Sequence, residues 1–288
     1  MASVSIIILA QPGDGARARA ALASAREQAG APELLLVGEV ALGDDAAGVT
    51  AIVPAPGTPP ATARNEAIAR AAGEYVVLLE AHERLVADAV ARHVAALDAA
   101  PEAVASYGRT AIEEDGEVRL RPDAGRSGKI LARLIHDKHL MASSGCAMWR
   151  KSALGPTPYD DTLESVPALR LGLALRAAQE GGEFVFHPTV TAERAAERQD
   201  LAGLEELVRV FLGVVFGTQP LEEKTEHRAR MRLARQLVAI GKHHFRQGDH
   251  RRAGKFFDEA VKAAPSYFKG RRYQFMNFVA KNVLSRSR

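Results

Sequence analysis

A chain of 288 residues, 47% hydrophobic and 25% charged, is long enough to bury a full core and carry an appendage, so one large domain with a smaller one is the starting expectation. Its single cysteine, Cys146, excludes an internal disulfide, and the opening MASVSIIILAQPGDG has neither a basic n-region nor an apolar run long enough for export or spanning, so the sequence reads as cytosolic, reduced and soluble. The net charge of +3 conceals 9 basic against 17 acidic residues through Leu120 and 29 against 18 after it, so the two halves are expected to face different partners or each other.

Residues 3–9 form a continuous β-branched run, the pattern of a strand buried on both faces. Gly13, Asp14 and Gly15 break it, and an Ala-rich helix over 16–28 closes at Gly30. Residues 33–37 read as the second strand and 50–53 as a short third. The PAPGTPP segment over 54–60 suits neither helix nor central strand and is a loop. A helix over 61–72 stops at Gly73, and 75–79 is a fourth buried strand. Residues 88–99 are helical and end before Pro101, 104–109 form a strand, and Asp115-Gly116 between two extended runs is a hairpin signal. Residues 169–178 and the segments beyond Leu201 are helical. Strands alternating with helices predict an α/β fold with a mostly parallel sheet and crossover helices over residues 1–200, followed by a helical module over 201–288.

Within TARNEAIARAAGEYVVLLEAHERL, residues 62–85, a helix opens with Ala63-Arg64-Asn65, closes at Gly73-Glu74-Tyr75 and runs into an apolar strand with an acidic end. In that order and spacing the segment resembles the family 2 glycosyltransferases of GT-A fold. Further matches are the β-branched first strand, Glu33 opening the second, Ser143-Ser144 before Met148-Trp149-Arg150, Tyr159-Asp160-Asp161-Thr162-Leu163, and Phe184-Val185-Phe186 as a late strand. The resemblance implies a GT-A-type, Rossmann-like domain, a nucleotide-sugar donor, a glycan or lipid-linked acceptor, a Mn or Mg cofactor and a carboxylate base.

The residues that should perform this chemistry are replaced. An inverting transfer needs a carboxylate to deprotonate the acceptor and a divalent cation to neutralise the departing diphosphate. Where the family places its metal-binding D-x-D, this chain has Glu80-Ala81-His82. Glu80 and His82 are competent ligands for manganese or zinc, but the all-oxygen set suited to magnesium is gone, and an ordinary polar strand end is the competing reading. Counting forward to the family's acidic pair lands on Pro167-Ala168, neither of which accepts a proton; Glu164, one turn earlier, is the remaining candidate base, or a solvated loop carboxylate. In the nucleotide pocket Gln11 stands within the segment that replaces P-T-Y-N, and Glu39 alone keeps a carboxylate at the base-reading turn. Asp44-Asp45 beside glycine reads as a turn. Arg64 is retained and suits a phosphate, an exposed helix arginine being the alternative. Gln11, Glu39, Arg64 and Glu80 are thus the candidate nucleotide-sugar contacts.

Other constellations are thin. His136 and His139 share a helical face without a third ligand, His243 and His244 lie in a basic helix as solvated or packed groups, and Cys146 reads as buried and structural. Walker, nucleophile-elbow and dinucleotide glycine patterns are absent from the sequence.

From Leu237 onward, Ile240-Gly241, His244, Gly248, Ala253, Phe257, Ala260 and Pro265 resemble one tetratricopeptide repeat, which needs neighbours to cover its apolar face and so points to packing on the main domain or another subunit. After Glu259 no acidic residue occurs, while Lys262, Lys269, Arg271, Arg272, Lys281, Arg286 and Arg288 alternate with Tyr267, Phe268, Tyr273, Phe275 and Phe278. That mix suits a helix at an anionic membrane surface, peripheral at its inner face, or one that packs its aromatics inward; no nucleic-acid module accompanies it. Three functions stand: a non-catalytic homologue that binds a nucleotide sugar or a partner such as an active relative, an active inverting transferase with a rearranged metal and base, and a membrane-surface scaffold.

Overall fold

A computed structural model describes residues 3–114, 117–120, 125–137, 140–141, 143–195, 200–217 and 219–282. The chain divides into two compact units, one of Met1–Glu164 with Leu169–Glu197 and one of Ser165–Ala168 with Arg198–Arg288.

The first unit opens with β1 (Val4–Leu9), α1 (Gly15–Arg26), β2 (Glu33–Val37), β3 (Val49–Ile52), α2 (Pro60–Arg70) and β4 (Tyr75–Glu80). It continues with β5 (Glu83–Leu85), α3 (Ala89–Asp98), β6 (Ala103–Glu114), β7 (Glu117–Leu120), α4 (Leu131–His136), β8 (Ala147–Arg150), most of α5 (Val166–Gln179) and β9 (Glu183–Ala195). The strands run β3-β2-β1-β4-β8-β6-β9-β5, with β7 beside β6. The stretch β3-β2-β1-β4 is parallel, and beyond it the sheet is mixed: β8 runs antiparallel to β4 and β6, β6 and β9 are parallel, and β5 is antiparallel to β9.

All six residues of β1 and of β4 are buried because helices cover both faces. On one face Ile6, Ile8, Leu36, Val77 and Leu79 pack with Leu22 of α1 and Leu97 of α3. Alternation turns Ile7, Leu35 and Leu78 to the other face, where α2 lies against β1 and β2. Each such aliphatic side chain contributes about 1.5–3 kcal/mol on burial. The corner between α2 and β4 is closed by polar groups. Ser5 Oγ donates to Glu33 and accepts from Gly73 N at 2.8 Å, while Ala72 N donates to Glu33 Oε2 at 2.8 Å. A Cβ on Gly73 would meet Ser5 N at 2.5 Å and Tyr75 O at 2.8 Å, main-chain atoms that cannot step aside, so only glycine fits this corner.

Beneath α3, His93 Nδ1 lies 2.8 Å from Ser106 Oγ of β6 and 3.1 Å from His187 Nε2 of β9, with the two rings edge to face at 4.7 Å. Burial, and then the charge of His187, holds His93 well below the ordinary histidine range; burial, and then Arg92, lowers His187. A histidine with a depressed folded-state pKa contributes stability that is complete above the unfolded value of about 6.5 and is lost as pH falls below it, because the unfolded chain takes up the proton first. Between pH 7.5 and 5.5 the wild type is therefore expected to lose stability relative to His93→Gln, with a limiting slope of about 1.4 kcal/mol per pH unit for the His93 proton. Urea titrations at both pH values check this; equal slopes in the two proteins would refute it. Comparison with the variant removes the opposite contribution of Glu83, whose pKa is raised by burial, then by Glu80.

In the second unit, α6 (Leu201–Phe216) is followed by α7 (Glu223–Arg246), α8 (His250–Ala263) and α9 (Phe268–Asn282). Asp200 and Asp249 cap α6 and α8 by accepting from Gly203 N at 2.8 Å and Arg252 N at 2.9 Å. Glu206 of α6 accepts from Ser165 N at 2.8 Å at the start of α5. Helices α7 and α8 form a hairpin through the turn at Gly248, whose φ is +78°. Ile240, Gly241, His244, Ala253, Phe257 and Ala260 are buried there, and His244 stacks on Phe256 at 5.5 Å. A Cβ on Gly241 would meet the Phe257 ring at 2.4 Å, so the missing side chain is what lets the two helices close.

Asp115-Gly116, His139, Arg286 and Arg288 lie outside the described residues, although Glu114 and Glu117 pair across β6 and β7. Helix α4 ends at His136. Strands β5 and β8 and the full lengths of β6 and β9 were not read from the sequence, because short segments such as Glu-Arg-Leu become strands only through the partner that pairs with them.

Candidate functional site

Glu80, the last residue of β4, is in register with Leu9 at the end of β1, which in turn faces Val37 at the end of β2. Glu80 therefore shares with Gln11 and Glu39, two residues past those strand ends, the carboxyl edge at which open α/β sheets take ligands. Gln11 and Glu39 are exposed, and Gln11 N donates to Asp14 Oδ2 at 3.1 Å. Asp44 and Asp45 lie in a short exposed turn, with Asp45 3.7 Å from Arg26.

Glu80 itself is 4% exposed and Arg64 only 5%. Arg64 Nη2 donates to both carboxylate oxygens, at 3.1 and 3.0 Å, and Nη1 donates to Pro60 O at 3.2 Å. Burial works against the Arg64 charge, and Glu80 together with Tyr159 and Glu83 more than offsets it. The reading of Arg64 as an exposed helix arginine is thereby corrected: α2 lies on the sheet with this side chain turned inward, across the strand end. Asn65 beside it donates to Tyr159 O at 3.0 Å and accepts from Tyr159 N at 2.8 Å, fixing the start of the Tyr159–Leu163 segment. The Arg-Asn pair of the sequence pattern thus joins α2 to two other parts of the unit.

Glu83, fully buried in β5, accepts from Ser144 N at 3.0 Å, Gly145 N at 2.8 Å and Glu80 N at 3.3 Å. Burial and then Glu80 raise its pKa, opposed by Arg170 and by the bond from Gly145. Arg170 of α5 borders a cavity of about 10 Å³ with Ser143, Ser144, Tyr159, Leu78 and Leu173, a space the size of one water and too small for a sugar or nucleotide. The polar α5 side chain that reaches this cavity, beside Leu173, is a cation, Arg170, one turn beyond the Pro167-Ala168 position expected for the base. Glu164 is exposed, makes an interaction of its own and does not line the cavity. Arg170 is the only charged residue between Val166 and Leu175, a signal the sequence offered and that passed unread.

Divalent cation binding does not fit these residues. Both oxygens of Glu80 face Arg64, Glu83 is satisfied by main-chain amides, Ala81 offers no ligand, and two guanidinium groups share the space. Glu80 and His82, the candidate metal ligands, are joined by no third residue: among the described residues no group of three His, Cys, Asp or Glu is arranged to hold an ion. His82 is half-buried, with Nε2 lacking a hydrogen-bond partner among the described residues. Cys146 is buried, donates to Ser143 O at 3.0 Å and has its thiol pushed up to about 11, chiefly by burial, so it is inert at neutral pH.

Residues 49–155 match the family model described as Glycosyl transferase family 2. The chain is similar to that family, and its fold is GT-A. Among solved structures, S. aureus TarS 1–349 matches with a TM-score of 0.66 at 12% identity, over 96% of this chain and 89% of that one. The same protein in complex with UDP matches at 0.64 and 13%, with the same coverage, and the longer TarS at 0.60 and 13%, where the match spans 54% of that chain. No curated protein sequence matches. The GT-A core accounts for the carboxyl-edge position of Glu80.

Proposed function

We propose that this chain is a GT-A protein that recognises a nucleotide sugar, or a partner protein such as an active transferase, without carrying out the family's metal-assisted transfer. The observation that supports it is the buried Arg64–Glu80 pair, in which a cationic side chain takes the carboxylate at the strand end where a metal would be needed. With the carboxylate neutralised from within the chain, nothing at that strand end draws in a divalent cation, and no carboxylate of α5 faces the cluster to take a proton from an acceptor. Nucleotide recognition has independent support: TarS, which shares the fold, exists in complex with UDP. Donor recognition in this chain falls to the open carboxyl edge carrying Gln11 and Glu39. The helical unit, with its tetratricopeptide-like hairpin, is the assembly or attachment module, and the sequence composition favours a cytoplasmic location.

Calorimetry with uridine and other nucleoside diphosphates and their sugars, with and without manganese, tests this reading. Weak binding that is indifferent to manganese is the expected result. Binding that tightens tenfold or more with manganese would overturn it and favour an active transferase with a rearranged site.

A further inference from the structure

The second unit holds a cleft of about 320 Å³ between α7 and α9, lined by Arg235, Val238, Ala239 and Lys242 on one side and Tyr267, Lys269, Arg272 and Tyr273 on the other. Arg235, Val238, Ala239 and Lys242 recur at i, i+3, i+4 and i+7, so they form one stripe of α7. Four cations meet in the cleft and none of its eight lining residues is acidic. Lys242 Nζ sits 5.4 Å from the Tyr273 ring centroid, and that ring is braced by stacking on Phe257 at 5.5 Å. Among the described residues none of the four cations has a carboxylate partner, and the nearby acids of α8 are engaged elsewhere: Asp258 accepts from Gln274 at 2.8 Å and Glu259 from Lys262 at 2.7 Å. Four uncompensated cations in one concavity raise one another's energy, and the chain keeps them together without a countercharge of its own. A phosphate, with its multiple acceptor oxygens, is the group that this donor set fits.

What carries that phosphate is indicated by the rim. Phe268, Phe275 and Phe278 are 75%, 68% and 61% exposed, and Met276 is exposed beside them. On α9, Phe268, Phe275 and Met276 stand at i−4, i+3 and i+4 from Arg272, so apolar side chains continue outward from the cationic wall. Meanwhile Gly270 and Asn277 are buried on the opposite face. The helix thus turns its phenylalanines outward, and of its aromatics Tyr273 is the one that packs inward, on Phe257. A second copy docked by the same face about a two-fold axis would set Arg271 and Arg272 against their own counterparts, which disfavours self-association. Among the described residues no helix is long and apolar enough to cross a membrane, so contact would be from the side.

We propose that the α7–α9 cleft binds the phosphate headgroup of an anionic lipid while Phe268, Phe275 and Met276 enter the interfacial layer. This goes beyond the reading of the GT-A site and does not depend on it. The test is sedimentation of the full chain with phosphatidylcholine vesicles, with and without phosphatidylglycerol. Binding is expected only with the anionic lipid. Arg235→Ala/Lys242→Ala should weaken it by about 30-fold, at roughly 1 kcal/mol per cation, and Phe268→Ser/Phe275→Ser, at exposed positions, should weaken it comparably. Arg251→Ala/Lys255→Ala, which removes two exposed charges from α8 outside the cleft, should change it little. Equal losses in the two charge variants would mean diffuse attraction and overturn the site. Saturation by glycerol phosphate in calorimetry with no vesicle binding would overturn the lipid source, as would preference for a single-stranded oligonucleotide over the vesicles.

Discussion

Replacing Arg64 by methionine is expected to destabilise the first unit by about 3–5 kcal/mol, the cost of leaving a buried carboxylate without its partner. Among the described residues Arg64 is the one cation within bonding distance of Glu80, whose other side-chain contact there is Ser144 Oγ at 3.5 Å. The double variant Arg64→Met/Glu80→Leu should recover most of that loss, since an apolar pair of similar volume removes the charge that the single variant strands. Trp149, the only tryptophan, is buried in β8 of the first unit, so its fluorescence during urea denaturation follows that unit alone. A single variant as stable as the wild type, or a double variant no better than the single, would show that the pair is not what holds this strand end. The comparison separates a structural ion pair from a site merely waiting for ligand, because a carboxylate poised for an external cation would gain stability when the internal one is removed and manganese is added.

The purified chain is expected to release no measurable nucleoside diphosphate from nucleotide-sugar donors with or without added manganese. A positioned base and a metal at the leaving group each contribute a factor of about 10² or more, so loss of both lowers turnover by roughly 10⁴ at least. His82→Asp alone should not restore activity: Glu80 would still be held by Arg64, and α5 would still present Arg170 to the cluster. Diphosphate release by the isolated wild type that disappears in Glu164→Ala or Glu80→Ala would sink the non-catalytic reading and establish a rearranged active site. Release that needs an added transferase would instead identify the chain as an accessory to that enzyme.

Much of the first unit was legible in the chain order of residues. The run Val4–Leu9, the Gly73-Glu74-Tyr75 corner and the apolar strand before Glu80 announce a buried parallel stretch because their patterns are local: β-branched residues, a glycine where backbones touch, then another apolar run. The site was legible only as a set of positions. Glu80 and Arg64 lie 16 residues apart on different elements, and their side chains meet only when α2 folds back onto the sheet. Glu83 looks like one more polar residue past a strand end, yet its environment is made by the amides of Ser144 and Gly145, 61 and 62 residues away. Spacing carried over from the family led to Pro167-Ala168, whereas helical geometry delivers Arg170 to the cluster.

In the second unit the sequence by itself determined composition and periodicity: the helices, the glycine turn, and a terminal stretch of cations and aromatics without acids. It left open which way those aromatics point, since Phe268, Phe275 and Phe278 recur at a spacing that serves a buried face as well as an exposed one. Tertiary packing decided that by placing Gly270 and Asn277 inward on α9 and bringing Arg235 and Lys242 of α7 opposite Lys269 and Arg272. The physical reason is the same in both units. Propensity and hydrophobic pattern act over one or two turns of chain, so sequence determines elements; charge acts through space across a few ångströms, so only the fold decides which charges are neighbours, and hence which carboxylates are neutralised and which cations remain to bind something else.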